Sequence, residues 1–278
     1  MLSIIISSYQ EDYYKNLHEN IKHTIGENFV YEIIKIDNPG LMGICEAYNK
    51  GASKASYDYF LFIHEDILFQ TVDWGDKLIA HFNTLKNTGI LAVAGTSYKS
   101  VLPVGWWSFN DYRRLHIDQI TKEKEVHSHR LQHPEEVMIT DGVFLAMTKN
   151  IWSQFKFNDK NLDFHGYDIE ISLDLSKKKQ NYVLHDILIT HLSSGNITRN
   201  WLDRLIKIYS HHNSASENFT RDNEIASYEI FFRYLNRFKY SKSEKIKIFL
   251  MFYKPHMFSL RDNYKILHMF LFYFNPKH

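Results

Sequence analysis

The chain has 278 residues, which at roughly 100–200 residues per domain corresponds to one large domain or one domain with an appendage. Its 44% apolar and 23% charged residues exclude a disordered chain, and its 11 glycines and 5 prolines exclude collagen-like and low-complexity classes. The net charge of +1 offers no general attraction to nucleic acid, and the single cysteine, Cys45, excludes a disulfide framework and a cysteine-rich zinc site.

Neither a leader nor a membrane span is visible in the sequence. The N-terminal apolar stretch is short and has no basic residue before it, unlike a signal peptide. No apolar run reaches the ~18–20 residues that a bilayer-spanning helix needs. We therefore expect a cytoplasmic protein.

The first third of the chain alternates strands and helices. Short runs rich in β-branched and aromatic residues predict strands over 2–7, 31–36, 57–63 and 90–94. Helical spacing of apolar residues predicts helices over 12–25, 44–55 and 74–85. This alternation predicts an α/β fold with a mostly parallel sheet flanked by helices, with ligands bound at the carboxyl ends of the strands.

The remaining two thirds are less regular. Residues 96–134 are aromatic and polar with little periodicity, which predicts a long functional loop. Further strands are expected over 137–147 and 182–190, and a helix over 168–176. After residue 196 the spacing predicts four helices, over 201–209, 225–238, 243–252 and 264–274. We therefore expect an α/β domain over 1–198 and a helical region over 199–278.

Charged side chains follow several predicted strands. His64, Glu65 and Asp66 come directly after the third strand, Asp37 ends the second, and His191 ends a later one. In one parallel sheet these ends share an edge, so Asp37, Asp66 and His191 are expected to converge there. Carboxylates in this position suit Mg²⁺ or Mn²⁺ held together with substrate phosphates. The alternative is that acidic residues mark the points where strands re-enter water.

Six short motifs occur in the same order as in one known group of enzymes. The sequence resembles the GT-A nucleotide-sugar glycosyltransferases of family 2, and more narrowly their streptomycin-biosynthesis-type branch. The resemblance covers roughly the first 200 residues and rests on these motifs: Ile4–Tyr9, Gly43–Gly51, Phe62–Asp66, Thr140–Ala146, Gly166–Glu170 and His191.

The resemblance implies a nucleotide-diphosphosugar donor, with a UDP-sugar favoured, and Mn²⁺ or Mg²⁺ as cofactor. It places the metal on Asp66, His191 and His64, although His64 replaces the first aspartate of the family's Asp-X-Asp motif. It further implies that Asp168 is the general base of an inverting transfer. Asp141 is the other candidate for the base and is expected to contact the acceptor or the donor sugar. The implied donor-binding residues are Ser7, Ser8, Tyr9, Asp37, Asn49 and Glu65.

Bland interpretations stay open for several of these residues. The turn sequence around Asp37 explains that aspartate equally well, and a carboxylate at the start of a helix, such as Asp168, is favourable by itself. Two other functions also stay open. One is a sugar nucleotidyltransferase, although residues 7–10 lack a glycine-rich phosphate loop. The other is a GT-A scaffold without turnover, an alternative that stays open because His64 stands in place of the family's first aspartate.

The C-terminal region is basic and aromatic. Residues 241–278 contain seven Lys+Arg and two Asp+Glu, a local net charge of +5. Apolar residues at helical spacing predict amphipathic helices that pack on the catalytic domain, pair two subunits, or contact an anionic membrane. Membrane contact would suit a lipid-linked acceptor, as in surface-polysaccharide or glycolipid synthesis, whereas a glycan acceptor needs none. A nucleic-acid partner is not expected.

Overall fold

The protein divides into two compact units. The computed structural model describes residues 1–121, 125–128, 131–160, 164–193, 195, 197–214 and 219–274. The first unit comprises Met1–Ser97 and Tyr112–Gly195, and the second comprises Tyr98–Asp111 and Asn196–His278. The sequence-based division at 198/199 assigned residues 98–111 to the first domain, whereas their contacts group them with the C-terminal helices.

The described residues form short strands and helices throughout. The strands are β1 (Leu2–Ser8), β2 (Tyr31–Asp37), β3 (Tyr59–Ile63), β4 (Ile67–Phe69), β5 (Thr88–Ala92), β6 (Ala94–Thr96), β7 (Arg113–Leu115), β8 (Ile117–Ile120), β9 (Glu125–His127), β10 (Glu135–Val137), β11 (Ile139–Thr140), β12 (Phe144–Thr148), β13 (Gln180–Val183) and β14 (Ile189–His191). The helices are α1 (Glu11–Thr24), α2 (Ile44–Ala52), α3 (Trp74–Thr84), α4 (Lys149–Gln154), α5 (Tyr167–Leu175), α6 (Arg199–His211), α7 (Arg221–Arg237), α8 (Lys242–Phe252) and α9 (Leu260–Phe274).

A seven-stranded sheet organises the first unit, in the order β10-β13-β5-β12-β3-β1-β2. β1 runs parallel to β2 and β3, and β13 runs parallel to β5. β12 is antiparallel to both of its neighbours, and β10 is antiparallel to β13. The predicted α/β fold is confirmed, and its sheet is more mixed than the expected, mostly parallel one.

Two long predicted strands are interrupted. The strand expected over 137–147 is three strands, β10, β11 and β12. Asp141 and Gly142 separate β11 from β12 in a turn in which Asp141 Oδ1 accepts the Val143 N–H at 2.9 Å. The strand expected over 182–190 is divided into β13 and β14. β14 belongs to a separate four-stranded sheet, β4-β14-β8-β9, so His191 does not end a strand of the main sheet.

The segment over 96–134 has more structure than the predicted loop. Within the first unit, β7 joins the three-stranded sheet β11-β6-β7, and β8 and β9 join the four-stranded sheet. The part that belongs to the second unit contains a 3₁₀ turn at Trp106–Ser108, and another 3₁₀ turn, Asn110–Tyr112, ends at the first residue of the following first-unit segment. These elements are too short to leave a periodic signal in the sequence.

Four helices, α6 to α9, form most of the second unit at the places where the sequence predicted them. Their core is aromatic, with the rings of Phe249 and Phe270 stacked at 4.3 Å and Phe231, Phe232 and Phe252 buried. Among the described residues, no helix combines the length and apolar character needed to cross a membrane.

Candidate functional site

A cavity of about 940 Å³ opens at the carboxyl ends of β1, β2 and β3. Ser7 and Tyr9 line it at the end of β1, and the turn between β2 and α2 supplies another wall. The far wall combines His64, Glu65 and Asp66, which follow β3, with His191 of β14. This is the sheet edge at which α/β folds bind their ligands.

His64, Asp66 and His191 meet in this cavity. His64 Nδ1 lies 3.8 Å from Asp66 Oδ1, and His191 Nε2 lies 3.5 Å from Asp66 Oδ2. One ligand atom from each residue lies within 4.8 Å of the others. The antiparallel pairing of β4 with β14 sets His191 opposite Ile67, and the Leu192 N–H donates to the Asp66 carbonyl at 2.9 Å. The predicted convergence of Asp66 with His191 therefore occurs at one end of the paired strands β4 and β14, outside the seven-stranded sheet.

The hydrogen bonds of His64 define which of its ring nitrogens is free. Tyr167 donates its hydroxyl proton to the Gly142 carbonyl at 2.9 Å, so at 2.7 Å from His64 Nε2 the same oxygen accepts the imidazole proton. Nδ1 is then an unprotonated nitrogen that faces the Asp66 carboxylate. Burial lowers the pKa of His64, which keeps the ring neutral even though Asp66 opposes the shift. A lone pair and a carboxylate facing each other are the donors that a cation requires.

His191 and Asp66 complete this donor set. His191 Nε2 is buried, and within the described parts of the chain it has no hydrogen-bond partner. Its other nitrogen, Nδ1, lies 3.3 Å from the Gln119 side-chain amide, which orients the ring. Burial raises the pKa of Asp66, but His191 and His64 outweigh this and hold it below its ordinary value, so the carboxylate is charged. Two imidazoles and one carboxylate fit a divalent transition-metal ion.

Glu65 shapes the entrance of the cavity from a buried position. Its Oε1 accepts the backbone N–H groups of Tyr9 at 3.1 Å and Gln10 at 2.9 Å, which holds the chain between β1 and α1. Its Oε2 is buried and has no hydrogen-bond partner among the residues that the structure describes. Oε1 is thus committed to the backbone, whereas Oε2 is not.

Asn38 was not singled out in the sequence, yet it organises one wall. Its Oδ1 accepts the N–H groups of Leu41 and Met42, each at 3.0 Å, and its Nδ2 donates to the Met42 carbonyl at 2.9 Å. Nδ2 also lies 3.3 Å from Ser7 Oγ, which connects this wall to β1. The signal available in the sequence was the Asp-Asn-Pro-Gly turn, in which asparagine is the residue that bonds to the following backbone.

Asp141 and Asp168 are linked to the cluster of His64, Asp66 and His191 through Gly142 and Tyr167. The Gly142 N–H donates to Asp168 Oδ2 at 3.1 Å, and its carbonyl accepts from Tyr167, the partner of His64. Burial, with a further contribution from Asp141, raises the pKa of Asp168 to about 7. Neither carboxylate is among the described residues that line the cavity. Tyr167, which links His64 to the Gly142 carbonyl, is a second residue that the sequence analysis missed.

Three predicted donor-binding residues have other contacts. Asp37 is 78% exposed and pairs with Lys35 at 2.9 Å, so it does not join Asp66 and His191. The Asn49 amide is engaged with the Phe157 carbonyl and Trp152 Nε1, at 2.7 and 3.1 Å. Ser8 is buried and contributes its carbonyl to the Asn38 N–H at 2.7 Å.

A comparison with protein families places this site in context. The model of the glycosyltransferase-like family matches residues 3–224, which include every residue of the cavity. The chain belongs to the glycosyltransferase-like family. A search of curated proteins finds no match.

Solved structures share the GT-A fold at low sequence identity. The S. aureus TarS 1-349 structure in complex with UDP aligns over 98% of this chain and 80% of that one, at 12% identity and a TM-score of 0.50. Its complex with UDP-GlcNAc aligns over 99% and 81%, at the same identity and TM-score. GalNAc-T7, solved with UDP, GalNAc and Mn²⁺, aligns over 75% of this chain at 12% identity and a TM-score of 0.48, and this chain spans 48% of it.

Proposed function

We propose that this member of the glycosyltransferase-like family transfers a sugar from a UDP-sugar to an acceptor hydroxyl, with inversion and in the presence of Mn²⁺. The observation that carries the proposal is the cluster of His64, Asp66 and His191 inside a cavity large enough for a nucleotide sugar. TarS, a protein of the same fold, has been solved with UDP and with UDP-GlcNAc, and we extend that donor class to this chain.

The three side chains of this cluster favour Mn²⁺ over Mg²⁺, because Mg²⁺ prefers oxygen ligands whereas two of the three side chains are imidazoles. A bound metal would neutralise the charge that develops on the leaving diphosphate. His64 is held for this role by Tyr167, whose hydroxyl oxygen accepts the hydrogen bond from Nε2–H and so leaves Nδ1 unprotonated. For His191, a rotated Gln119 amide would accept the Nδ1 proton and leave the Nε2 lone pair for the metal.

The nucleotide would occupy the part of the cavity opposite the metal ligands. Ser7 and Tyr9 offer a hydroxyl and an aromatic face, and the free Glu65 Oε2 accepts a ribose hydroxyl. The first turn of α2 also lines the cavity, and Gly43 provides no side-chain cap there. The positive end of a helix favours the diphosphate.

Asp168 is the proposed general base, and Asp141 is the proposed sugar contact. A carboxylate with a pKa of about 7 is balanced between binding and releasing a proton at neutral pH, as a base needs to be. The negative charge of Asp141 sustains that value and would attract sugar hydroxyls. A glycan or lipid-linked acceptor, in surface-polysaccharide or glycolipid synthesis on the cytoplasmic side of a membrane, completes the proposal.

Calorimetric titration of the full chain with UDP, and separately with GDP, with and without Mn²⁺, tests the proposal. We expect micromolar binding of UDP that requires Mn²⁺ and is lost in Asp66→Ala. Asp186→Ala is the matched control, because Asp186 belongs to a second cluster, with His81 and His185, outside the cavity. Metal-dependent hydrolysis of UDP-sugars then establishes turnover.

Four results would contradict the proposal. Binding of neither nucleotide would exclude the proposed nucleotide site. Equal UDP binding with and without metal would exclude the proposed role of His64, Asp66 and His191 as metal ligands. Tight UDP binding without hydrolysis or transfer would indicate a scaffold without turnover. Formation of a nucleotide sugar from a sugar phosphate and a nucleoside triphosphate, with release of pyrophosphate, would indicate a nucleotidyltransferase.

A further inference from the structure

Helix α9 has an apolar stripe that is exposed. Leu260 is 90% exposed, Tyr264 72% and Leu271 63%, and Leu267 between them is also exposed. Their spacing of four, three and four residues places them on one side of the helix, here called the α9 ridge. The opposite side of α9 is the packed one, with Ile266 fully buried. Contiguous exposed apolar residues of this size mark an interaction surface.

A basic cavity of about 540 Å³ adjoins the ridge. Arg261, Lys265 and His268 of α9 line it together with Arg221 at the start of α7, and Tyr264 belongs to both the cavity and the ridge. At about 100° per residue, Arg261, Lys265 and His268 occupy the side of α9 next to the ridge. A stripe of apolar residues flanked on one side by cations is the pattern of helices that lie in a membrane interface.

Two acidic residues also line this cavity, and both have partners. Asp262 accepts the Ser259 hydroxyl at 2.6 Å and lies 3.6 Å from Arg221, and Asp222 lies 3.4 Å from the same guanidinium. The hydrogen bond from Ser259, with the charges of Arg221 and Arg261, holds the pKa of Asp262 below its ordinary value. Within the described ranges, no ion pair is formed by Arg261 or Lys265. These two cations are therefore available to an anion.

We infer that α9 docks on an anionic phospholipid bilayer, with the ridge in the boundary between headgroups and acyl chains and a lipid phosphate in the basic cavity. Charge complementarity favours a lipid over a second copy of this chain, because a two-fold pairing of α9 would bring the same cations together. The residues of α9 lie beyond the family match at 3–224. The inference uses only residues of the second unit and is independent of the proposed function.

Vesicle co-sedimentation of the full chain without nucleotide tests the inference. The vesicles contain phosphatidylcholine alone, or phosphatidylcholine with about one third phosphatidylglycerol. We expect binding to the anionic vesicles only, weakened about thirtyfold in Arg261→Ser with Lys265→Ser, since each cation near an anionic surface contributes about fivefold. Leu260→Ser with Leu267→Ser should also weaken binding, by tenfold or more, because it removes apolar area from the ridge.

The matched control is Lys15→Ser with Lys22→Ser, which removes the same charge from the exposed side of α1 and should leave vesicle binding unchanged. Circular dichroism of each variant checks that it is folded. Equal binding of wild type to both vesicle types, or an unchanged affinity in the Arg261–Lys265 variant, would overturn the inference.

Two further results would assign the surface to another occupant and so overturn the inference. Micromolar binding of inorganic phosphate without vesicle association would identify a soluble phosphate ligand. A dimer in sedimentation velocity that the Leu260–Leu267 variant converts to monomer, again without vesicle association, would identify a second copy.

Discussion

At the scale of single residues, Tyr167 connects the two halves of the candidate chemistry. Its hydroxyl donates to the Gly142 carbonyl and accepts from His64 Nε2, while the Gly142 N–H donates to Asp168. One phenol therefore orients a proposed metal ligand and one end of the turn that positions the proposed base. Groups that hydrogen-bond to metal-bound histidines influence metal affinity through the tautomer and basicity of the ring.

Tyr167→Phe removes this hydroxyl while keeping the buried ring. We expect Mn²⁺ affinity to fall by about 10–100-fold, because His64 loses the partner that selects its tautomer. Calorimetric titration with Mn²⁺ in the presence of UDP measures the change. Tyr182→Phe is the matched control, since its hydroxyl contacts the Lys86 carbonyl instead, and it should bind Mn²⁺ normally. Equal affinities in the two variants would exclude this role for Tyr167.

Asp168→Asn should lower metal-dependent UDP-sugar turnover by about 10²–10⁴-fold and leave UDP binding intact, as expected for a general base. Because burial and Asp141 raise the pKa of Asp168 to about 7, wild-type turnover should rise with pH as the carboxyl loses its proton around that value. The rate of sugar release, measured from pH 5 to pH 9, checks both expectations.

Asp174→Asn is the control for this experiment, because Asp174 is a more exposed carboxylate of the same helix, α5. It should keep both the rate and its pH dependence. If Asp168→Asn keeps full turnover, the proton passes to another group, and Asp141 is the next candidate.

At the scale of elements, the cavity depends on close contact between α2 and β1. A Cβ on Gly51 would lie 2.4 Å from Ile5 Cγ2, closer than packed carbon atoms approach. Glycine therefore allows α2 to lie against the strand, with its first turn beside the end of β1. The same reason explains Gly142, where a Cβ would lie 2.2 Å from the Tyr167 hydroxyl.

Gly51→Ala should destabilise the protein even though alanine is the better helix former. Overpacking in a close-packed core typically costs about 1–3 kcal/mol, against a gain in helix propensity of about 1 kcal/mol. Denaturant unfolding measures the net loss. Lys50→Ala, at the neighbouring exposed position of the same helix, should change the free energy of unfolding by less than about 0.5 kcal/mol. If Gly51→Ala instead stabilised the protein, the Ile5 side chain would be able to move away from the new Cβ without an energetic cost.

At the scale of the whole molecule, chain order and spatial grouping differ. Residues 98–111 belong to the second unit because buried Glu224 of α7 collects three donors from them. These donors are the Tyr98 hydroxyl at 2.5 Å, the Ser100 hydroxyl at 3.0 Å and the Val101 N–H at 3.2 Å. The carboxylate replaces the water that these buried groups would otherwise need.

Glu224→Ala should therefore lower the free energy of unfolding by about 1–3 kcal/mol or more, since it leaves buried donors unpaired. Urea unfolding followed by tryptophan fluorescence measures it. Glu229→Ala, which removes an exposed partner of Arg233 on the same helix, should have an effect below about 1 kcal/mol. Similar losses in the two variants would mean that the network around Glu224 contributes nothing beyond a surface ion pair.

Much of the fold was readable from local patterns. The central strands of the seven-stranded sheet were predicted because β1, β2 and β3 each lie in one short run rich in β-branched and aromatic residues. Helices α2 and α9 were predicted because their apolar residues repeat over several turns. The position of His64, Glu65 and Asp66 at the end of β3 followed from the same reading. Periodicity reports which residues turn toward a core, and these elements are long enough to show it.

Only the tertiary structure decided which side chains meet. His191 lies beside Asp66 because β14 pairs with β4, Asn49 is engaged with Trp152 and Phe157, and Asp37 points to Lys35. Each of these outcomes depends on pairings between segments far apart in the chain, which no local pattern records. By itself the sequence determined the α/β alternation, the sheet edge that carries the candidate site and the amphipathic C-terminal helices. The partners of each site residue followed from long-range packing, because contact between segments far apart in the chain is a property of the folded chain as a whole.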